Sequence, residues 1–397
     1  MRIAYVTDTY PPELNGVALT VERTVGHLRQ RGHAVDLIRP RQPGDASAAE
    51  AVQVRPLASR PAPSQWLTAG APIPLYPDLR FGLATAGSLR RRFERARPDL
   101  VHLATPGPLA WQALRVARRL GIATTSDFRT NFHQYSAYYH LGAFESLILR
   151  ALRYFHNRSD RTFVPTRALQ RELSQLGFEH LEVVGRGVDT ERFAPHHRSP
   201  ALRADWDAAD GAPVLLCVGR VAAEKNIEVA LRAFERLRRQ RVDARMVVVG
   251  DGPLRRRLAL EHPTVRFVGV RRGEALAACY ASADMFVFPS LSETFGNVTL
   301  EALASGLPVV AYEVAAAAEH VRHGVDGLLV APGDAGAFEG AVMRLASRPL
   351  RLAAMRDHAV EAARRVRWDD VLARFDAFLN ETAHGRQAPA ETPVLVA

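Results

Sequence analysis

The chain has 397 residues, and at roughly 150 residues per domain this length excludes a single small module and suggests two or three domains. Hydrophobic residues make up 47% and charged residues 24% of the chain, a composition that excludes global disorder. Two cysteines exclude a disulfide framework and a four-cysteine zinc site, and no apolar run approaches the roughly 18 residues of a membrane-spanning helix.

The net charge of +10 is carried by 51 arginines and a single lysine, Lys225. Residues 1–195 hold 26 arginines against 17 acidic residues, so the basic excess lies almost wholly in the first half. Such a charge suits solubility, an anionic substrate, an anionic membrane surface or nucleic acid. The usual nucleic-acid-binding motifs and base-stacking aromatic clusters are missing from the sequence, so we expect no nucleic-acid partner.

Short apolar runs typical of buried strands alternate with helical patterns along the chain. The first set of predicted strands covers residues 2–6, 34–38, 100–103, 123–126, 161–164 and 181–184. The second set covers residues 214–218, 245–249, 265–268, 285–288 and 308–312. Runs that are apolar on both faces are typical of parallel strands with helices on each side. Because the pattern occurs twice, it predicts an α/β fold with two doubly wound, Rossmann-like parallel-sheet domains.

A polar, loop-rich stretch within residues 187–212 marks the expected boundary between the domains. We place the first domain at residues 1–190 and the second at 191–365, followed by a C-terminal helix at about 366–383 and a disordered tail at 384–397. The proline-rich stretch 57–79 predicts a loop. Because Met1 leads directly into a strand pattern, we expect no signal peptide and a cytoplasmic location.

The sharpest candidate site is the stretch 292–301, which follows the predicted strand 285–288. A helix is expected to begin near Gly296 and to end at Gly306. The backbone N–H groups of Gly296, Asn297 and Val298 would then face the carboxyl end of a strand. A helix start at that place binds phosphate.

Two carboxylates flank this helix start, Glu293 and Glu301. Eight residues at 1.5 Å each place them about 12 Å apart along a helix axis. That is roughly the span from sugar to ribose in a nucleotide sugar, and each carboxylate could accept hydrogen bonds from a diol. The alternative is that Glu293 is an ordinary N-terminal helix charge and Glu301 a solvated helix residue.

A second candidate site follows the strand 214–218, where Arg220 and Lys225 precede the next helix. Two fixed cations at a strand end would stabilise the negative charge that develops on a diphosphate leaving group. The alternative is a pair of surface cations, although a helix start disfavours positive charge.

Two further short motifs are less specific. Gly250-Asp251-Gly252-Pro253 follows a strand and fits either a plain turn or a base or phosphate contact. It is not a G-x-G-x-x-G fingerprint, which argues against a nicotinamide dehydrogenase. Asp205-Trp206-Asp207 has the D-x-D pattern of a metal–diphosphate site, but it lies in the polar linker. We expect neither a metal nor a cofactor there, and the site cations would take the metal's role.

The first half contributes two loops that follow predicted strands. Asn15-Gly16 lies before a helix, where a glycine lets the backbone approach a phosphate. In the stretch 126–135, Asp127, Arg129 and His133 point toward the same strand-end edge, where any of them could orient a sugar hydroxyl or an anionic group. An ordinary strand–helix loop and a structural histidine are the alternatives.

The amphipathic pattern at residues 145–158 combines apolar positions with Arg150, Arg153 and Arg158. It fits either a helix that faces the core or one that lies on an anionic bilayer.

Together, the Glu293-x7-Glu301 element, the Arg220 and Lys225 pair and the Asn15-Gly16 loop resemble the family 4 retaining glycosyltransferases. The stretches 7–13 and 125–135 look more particularly like GDP-mannose-dependent α-mannosyltransferases that act on glycolipid acceptors. The resemblance implies a GT-B fold, in which two Rossmann-like domains face an interdomain cleft and the last helix returns to the first domain. It also implies an acceptor-binding first domain and a nucleotide-sugar-binding second domain.

The resemblance further implies roles for single residues. Arg220 and Lys225 would hold the diphosphate, Glu293 the donor sugar and Glu301 the ribose. Backbone amides of Phe295, Gly296 and Asn297 would lie near sugar and phosphate, and Gly16 against the diphosphate. Many family members carry a histidine where this chain has Arg129, so Arg129 and His133 remain alternatives for the catalytic polar residue of the first domain.

The resulting hypothesis is a retaining, metal-independent hexosyltransferase that moves mannose from GDP-mannose to a lipid-linked or glycolipid hydroxyl. We expect peripheral contact with an anionic membrane, at the inner face of the plasma membrane, through the Arg-rich first domain. Three alternatives stay open: a UDP-sugar-dependent transferase of the same family, a nucleotide-sugar epimerase of similar fold, and a non-enzymatic binder of anionic lipid.

Overall fold

The computed structural model describes residues 1–13, 16–42, 45, 64–73, 76–129, 142–209 and 211–385, with only the backbone of residues 73, 76–79 and 142–145. These residues form two compact units. The first contains the described residues up to 184 together with those from 372 onward, and the second contains residues 185–371. Each unit is an α/β layer structure, which confirms the predicted fold class.

The first unit is built on an eight-stranded sheet. Its strands are β1 (Arg2–Val6), β2 (Ala34–Pro40), β3 (Ser64–Ile73), β4 (Tyr76–Leu83), β5 (Leu100–Leu103), β6 (Ala123–Asp127), β7 (Arg161–Val164) and β8 (Leu181–Val183). They lie in the order β4-β3-β2-β1-β5-β6-β7-β8. Its helices are α1 (Gly16–Gln30), α2 (Ala86–Ala96), α3 (Pro108–Arg119), α4 (Gly142–His156) and α5 (Arg167–Gln175). All neighbouring strands are parallel except β3 and β4, which pair antiparallel.

The prediction of a loop at residues 57–79 is wrong where β3 and β4 form. β3 pairs with β2 from Asp36 opposite Ser64 to Pro40 opposite Thr68, and β4 closes the sheet as its edge strand. Prolines are tolerated at the edge of a sheet, where an N–H group can face away from the ladder. The proline content of this stretch therefore does not prevent strand formation.

The second unit is built on a six-stranded, fully parallel sheet. Its strands are β9 (Val214–Val218), β10 (Arg245–Val249), β11 (Arg266–Gly269), β12 (Met285–Phe288), β13 (Val309–Tyr312) and β14 (Gly327–Val330). They lie in the order β11-β10-β9-β12-β13-β14. This is the Rossmann strand order, in which the direction of winding reverses between the first and fourth strands. The sequence analysis missed β14.

Helices cover the second sheet. They are α6 (Pro200–Asp205), α7 (Ile227–Gln240), α8 (Arg255–Glu261), α9 (Gly273–Ser282), α10 (Asn297–Ala304), α11 (Ala315–His320), α12 (Ala335–Ala346) and α13 (Pro349–Arg364). β9 shows why both faces must be covered, because all five of its residues are buried. Leu215 and Cys217 join one apolar cluster, whereas Leu216 and Val218 join another on the opposite face.

The last helix, α14 (Trp368–Gly385), begins in the second unit and continues into the first. Phe375 and Leu379 join the apolar cluster around Ile3 and Tyr5 of the first sheet. His33 Nε2 lies 2.7 Å from Asp376 Oδ1, which adds a polar contact between α14 and the start of β2. The helix extends to Gly385, two residues beyond the predicted end at 383, so residues 384 and 385 are helical. The rest of the predicted tail, residues 386–397, lies outside the described residues.

Candidate functional site

The candidate site of the second unit lies at the point where its strand order reverses. β9 and β12 are neighbours there, and the Arg220–Lys225 and Ser290–Asn297 segments follow their carboxyl ends. Ligands of doubly wound folds bind at such a switch point. Two stretches that are about 70 positions apart in sequence are thus brought to one edge of the sheet.

Lys225 and Glu293 form the centre of this site. Lys225 Nζ donates a hydrogen bond to Glu293 Oε1 over 2.5 Å, and Ser290 Oγ donates to the same oxygen over 2.8 Å. The two charged side chains are only 17% and 14% exposed, so their interaction is weakly screened. Asn226 follows Lys225 in a left-handed conformation (φ 52°), which turns the chain into α7 directly after the lysine.

Arg220 belongs to the same loop as Lys225. Its Nη1 lies 3.3 Å from Oε1 of the buried Glu224, and the arginine side chain is 44% exposed. Ser292 Oγ donates to the backbone carbonyl of Glu224 over 3.0 Å, which fixes the loop after β9 to the loop after β12. Lys225 therefore contacts the loop that carries Glu293 directly, whereas Arg220 contacts Glu224, whose backbone carbonyl is bonded to that loop.

The glycines after β10 serve the packing of one loop on another. A Cβ atom on Gly250 would lie 1.9 Å from the carbonyl oxygen of Gly219, and one on Gly252 would lie 2.4 Å from that of Val221. The Val221 amide donates to the Asp251 carbonyl over 2.9 Å. The Asp251 side chain accepts hydrogen bonds from Gly252 N and from Arg255 Nη1. Contacts within the protein already explain why glycines occupy positions 250 and 252. Ligand contact by Asp251 and Gly252 stays a prediction.

Helix α10 begins where the sequence analysis places it. Gly296 has φ 88°, a conformation that glycine adopts without strain, and Asn297 is the first helical residue. The amides of Asn297 and Val298 precede Thr299, whose N–H donates to the Gly296 carbonyl over 3.1 Å. Phe295 is buried, and its carbonyl accepts from Ala316 N over 2.7 Å.

The assumption that one helical rise separates Glu293 from Glu301 is wrong. Glu293 lies in the loop before α10, so the rise of 1.5 Å per residue applies only from Asn297 to Glu301, about 6 Å. The alternative of a solvated helix charge does not hold for Glu301 either, since Tyr280 Oη donates to its Oε2 over 2.9 Å.

Burial governs the protonation of Glu301. Removal from water raises its pKa to about 7, although the Tyr280 hydrogen bond and the charge of Arg192 act in the opposite direction. Glu301 therefore keeps its proton to a higher pH than an ordinary glutamate. When it is protonated, it can both donate hydrogen bonds to a ligand hydroxyl and accept them from it.

Arg186 is a residue that the sequence analysis did not assign to the site. It is 8% exposed, its Nη1 lies 3.3 Å from Asn297 Oδ1, and its Cζ lies 5.9 Å from the centroid of the Phe295 ring. The flanking glycines in Gly185-Arg186-Gly187 were a signal for a fixed backbone at this position. A Cβ atom on Gly187 would lie 2.4 Å from the Trp368 amide nitrogen.

In the first unit, Arg129 follows β6 as expected. Its Nε donates to Asp127 Oδ2 over 2.5 Å, and His102 Nε2 lies 3.1 Å from the same oxygen. The second ring nitrogen of His102, Nδ1, lies 2.9 Å from Thr125 Oγ1. Burial alone would raise the pKa of Asp127, but Arg129 and His102 hold it below its ordinary value. Burial would likewise lower the pKa of Arg129, but Asp127 raises it.

Arg129 is thus a permanently charged group that can stabilise an anion but cannot accept a proton. His133, the alternative catalytic residue, lies outside the described residues, as does Asn15. Gly16 is the first residue of α1, where its carbonyl accepts from Thr20 Oγ1 over 2.7 Å. The roles of Arg129, His133 and Gly16 stay predictions.

Asp8 lies in the loop after β1 and contacts both the end of β4 and the loop after β5, and from the sequence it was named only as part of the stretch 7–13. Its Oδ1 accepts from Gly82 N over 2.8 Å and its Oδ2 from Thr105 Oγ1 over 3.0 Å. A Cβ atom on Gly107 would lie 1.9 Å from Asp8 Oδ2, so a larger residue there would displace the Asp8 carboxylate. Burial raises the pKa of Asp8 to about 6.

The D-x-D motif has structural partners. Asp207 pairs with Arg266, and Trp206 is buried in the core of the second unit. Across the described ranges, no three His, Cys, Asp or Glu side chains come together in a way that could hold a metal ion. In the same part of the chain, no helix combines the length and the apolar character needed to cross a membrane.

Comparison with known proteins places this geometry in a family. Residues 14–192 match the family described as Glycosyltransferase Family 4, and residues 212–348 match Glycosyl transferases group 1. The chain is 35% identical, over 342 residues, to a GDP-mannose-dependent α-mannosyltransferase of Mycobacterium tuberculosis. The alignment covers 84% of this chain and 85% of that protein. The chain belongs to glycosyltransferase family 4.

This family 4 glycosyltransferase is also similar to a second mycobacterial enzyme in sequence and to a solved structure in fold. It is 28% identical, over 88% of its length and 89% of the relative's, to a GDP-mannose-dependent α-(1-6)-phosphatidylinositol dimannoside mannosyltransferase of M. tuberculosis. Sucrose-phosphate synthase from Thermosynechococcus elongatus has a similar structure, with a TM-score of 0.76 at 19% identity. That match covers 97% of this chain and 99% of the other, which confirms the expected GT-B fold.

Proposed function

We propose that this glycosyltransferase moves a mannosyl residue from GDP-mannose to a hydroxyl group of a lipid-linked or glycolipid acceptor. The observation that carries the proposal is the partly buried pair of Lys225 and Glu293 at the switch point of the second sheet. The donor assignment is supported by the two mycobacterial relatives, both GDP-mannose-dependent mannosyltransferases, and the lipid acceptor by the second, a phosphatidylinositol dimannoside mannosyltransferase.

We expect the donor to bind by replacing the contact between Lys225 and Glu293. In the protein alone, the ammonium of Lys225 and the carboxylate of Glu293 neutralise each other at 2.5 Å. A diphosphate that enters beside Lys225 and Arg220 would take over these cations. Glu293 would then be able to accept hydrogen bonds from the donor sugar, while Glu301 would bind the ribose. The amides of residues 295–298 would complete the phosphate site.

The chemistry would rest on fixed positive charge. When the bond between the sugar and the diphosphate breaks, negative charge develops on the leaving phosphate, and Arg220 and Lys225 would stabilise it without reorganising. We propose that the leaving oxygen accepts the proton of the acceptor hydroxyl on the same face of the sugar. The anomeric configuration would be retained, and no metal ion would be required.

A surface of the first unit suits a lipid acceptor and peripheral binding to an anionic membrane. Leu147 and Tyr154 on α4 are 58% and 52% exposed, whereas Leu152 and Phe155 on its other side are buried. The Cζ atom of Arg158 lies 4.1 Å from the centroid of the Tyr154 ring. Exposed apolar side chains beside arginines are typical of helices that lie on anionic bilayers. We propose a cytoplasmic location with contact at the inner face of the plasma membrane.

The test is an assay of nucleotide release and product formation with extracted lipids. GDP-mannose and UDP-sugars are supplied in parallel, and the anomeric configuration of the product is read by NMR with and without a chelator. Lys225→Ala should lower turnover by about two orders of magnitude or more, the scale of losing one charge-stabilising group. Arg236→Ala on α7 is a matched control, because its side chain is 54% exposed and faces Glu339.

Each alternative predicts a different result. Equal turnover of UDP-sugars would contradict the GDP-mannose assignment, and sugar isomerisation without acceptor would indicate an epimerase. Lipid binding without nucleotide release would indicate a non-enzymatic binder. Wild-type turnover in Lys225→Ala would remove the proposed site.

A further inference from the structure

Arg186 is a buried cation beside the proposed phosphate site. It follows β8, and it is the second residue of the second unit. The side chain does not extend into solvent, since the residue is 8% exposed. Burial of a guanidinium is unfavourable unless the surrounding groups compensate its charge. Arg186 is therefore held by contacts with its surroundings, among them the Asn297 side chain and the Phe295 ring.

The backbone around Arg186 is fixed by α14 and the segment before it. Gly187 packs directly on the Trp368 amide, and the Val188 amide donates to the Val366 carbonyl over 2.9 Å. This support lets the position of the guanidinium be set before any ligand binds. A charged group held in place in this way loses little conformational entropy on binding.

The guanidinium contacts the start of α10. Its Nη1 donates to Asn297 Oδ1 over 3.3 Å, and its Cζ lies 5.9 Å from the Phe295 ring centroid. Asn297 is the first residue of the helix, and Phe295 directly precedes its cap, Gly296. Arg186 thus reaches the residues whose amides would bind phosphate.

The same short stretch is contacted by a second cation. Lys225 binds Glu293, two residues before Phe295, so a lysine and an arginine contact the stretch 293–297. The N-terminus of a helix adds a partial positive charge of about half a unit. An anion at this helix start would have the helix N-terminus and the Arg186 guanidinium beside it, and Lys225 as well once it exchanges Glu293 for the anion.

We propose that Arg186 is a third cation of the diphosphate site, which binds a phosphate group of the donor and orients Asn297. The inference rests on the proposed function, since it assumes that a nucleoside diphosphate binds at this helix start. It adds a ligand that comes from the segment after β8, whereas Arg220 and Lys225 follow β9.

The test compares a nucleoside diphosphate with its nucleoside. The dissociation constants of GDP, UDP, guanosine and uridine are measured by calorimetry for the wild type, Arg186→Gln, Arg186→Lys, Lys225→Ala and the control Arg236→Gln. Of GDP and UDP, the one that the wild type binds more tightly decides the test. Arg186→Gln should weaken its binding by about tenfold or more, the scale of one charge-assisted hydrogen bond. The affinity for the matching nucleoside should stay within about twofold, because it carries no phosphate. The dissociation constant of the diphosphate for Arg186→Lys should lie between those for the wild type and Arg186→Gln. The melting temperature of each variant shows whether it is folded.

The outcomes separate this inference from the proposed function. Equal weakening of diphosphate and nucleoside by Arg186→Gln would mean that Arg186 acts only on folding, and it would overturn the inference. If Lys225→Ala loses diphosphate binding and Arg186→Gln keeps it, the inference fails and the proposed function stands. A wild type that binds neither diphosphate more tightly than its nucleoside would overturn both.

Discussion

The protonation of Glu301 makes the stability of this glycosyltransferase depend on pH in a specific direction. Burial raises the pKa of Glu301 from an ordinary value of 4.5 to about 7, and the carboxyl accepts a hydrogen bond from the fully buried Tyr280. The folded state therefore binds a proton at this site more tightly than the unfolded state does. The stabilisation from that proton is complete below pH 4.5 and is lost as pH rises through about 7.

The size of the effect follows from the shift. Each pH unit between the unfolded and folded pKa values corresponds to about 1.4 kcal/mol, which gives an upper limit of about 3.5 kcal/mol. Because Glu301 is not fully shielded from solvent in the structure, we expect a change of about 1–3 kcal/mol. Glu301→Gln removes the ionisation while its amide oxygen can still accept from Tyr280.

Urea unfolding of the wild type and Glu301→Gln is measured from pH 5 to pH 8.5. The difference in the free energy of unfolding should grow in favour of the variant by about 1–3 kcal/mol as pH rises from 5 to about 7, and it should change little above pH 8. Glu274→Gln, at an exposed position in the first turn of α9, is the matched control and should track the wild type. Parallel pH profiles for wild type and Glu301→Gln would refute the reasoning, because they would mean that Glu301 ionises as freely in the folded protein as in the unfolded chain.

Two further predictions concern the loops and the surface. Gly250→Ala should destabilise the protein by about 2–4 kcal/mol, because at φ 138° its Cβ atom would lie 1.9 Å from the Gly219 carbonyl oxygen. Differential scanning calorimetry checks this, with Gly336→Ala as the control, since Gly336 has room for a methyl group. Tyr154→Ser should weaken co-sedimentation with vesicles containing phosphatidylglycerol by about tenfold, the scale of losing one exposed apolar side chain from an interface. Leu260→Ser, 76% exposed in the second unit, is its control, and equal binding of all three proteins would contradict the proposed membrane surface.

Much of the fold could be predicted from local patterns. Buried parallel strands are continuous apolar runs, so β9 and β12 were predicted at their observed residues. The start of α10 after Gly296 was predicted for a similar reason, because a glycine in the left-handed region and a following helical pattern are local features. By contrast, β3 and β4 depend on pairing at a sheet edge and carry no comparable apolar run.

The sequence by itself determined which residues could do chemistry here: a lone lysine, an arginine near it, and two glutamates around a helix start. Only the tertiary structure decided which of them meet. The pairing of Lys225 with Glu293 spans 68 positions, and the contact of Arg186 with Asn297 spans 111. Burial of Glu301 against Tyr280 likewise sets its pKa. These properties depend on strand order and burial, which arise from the whole chain, whereas backbone propensity and spacing are local and can be read from a few neighbouring residues.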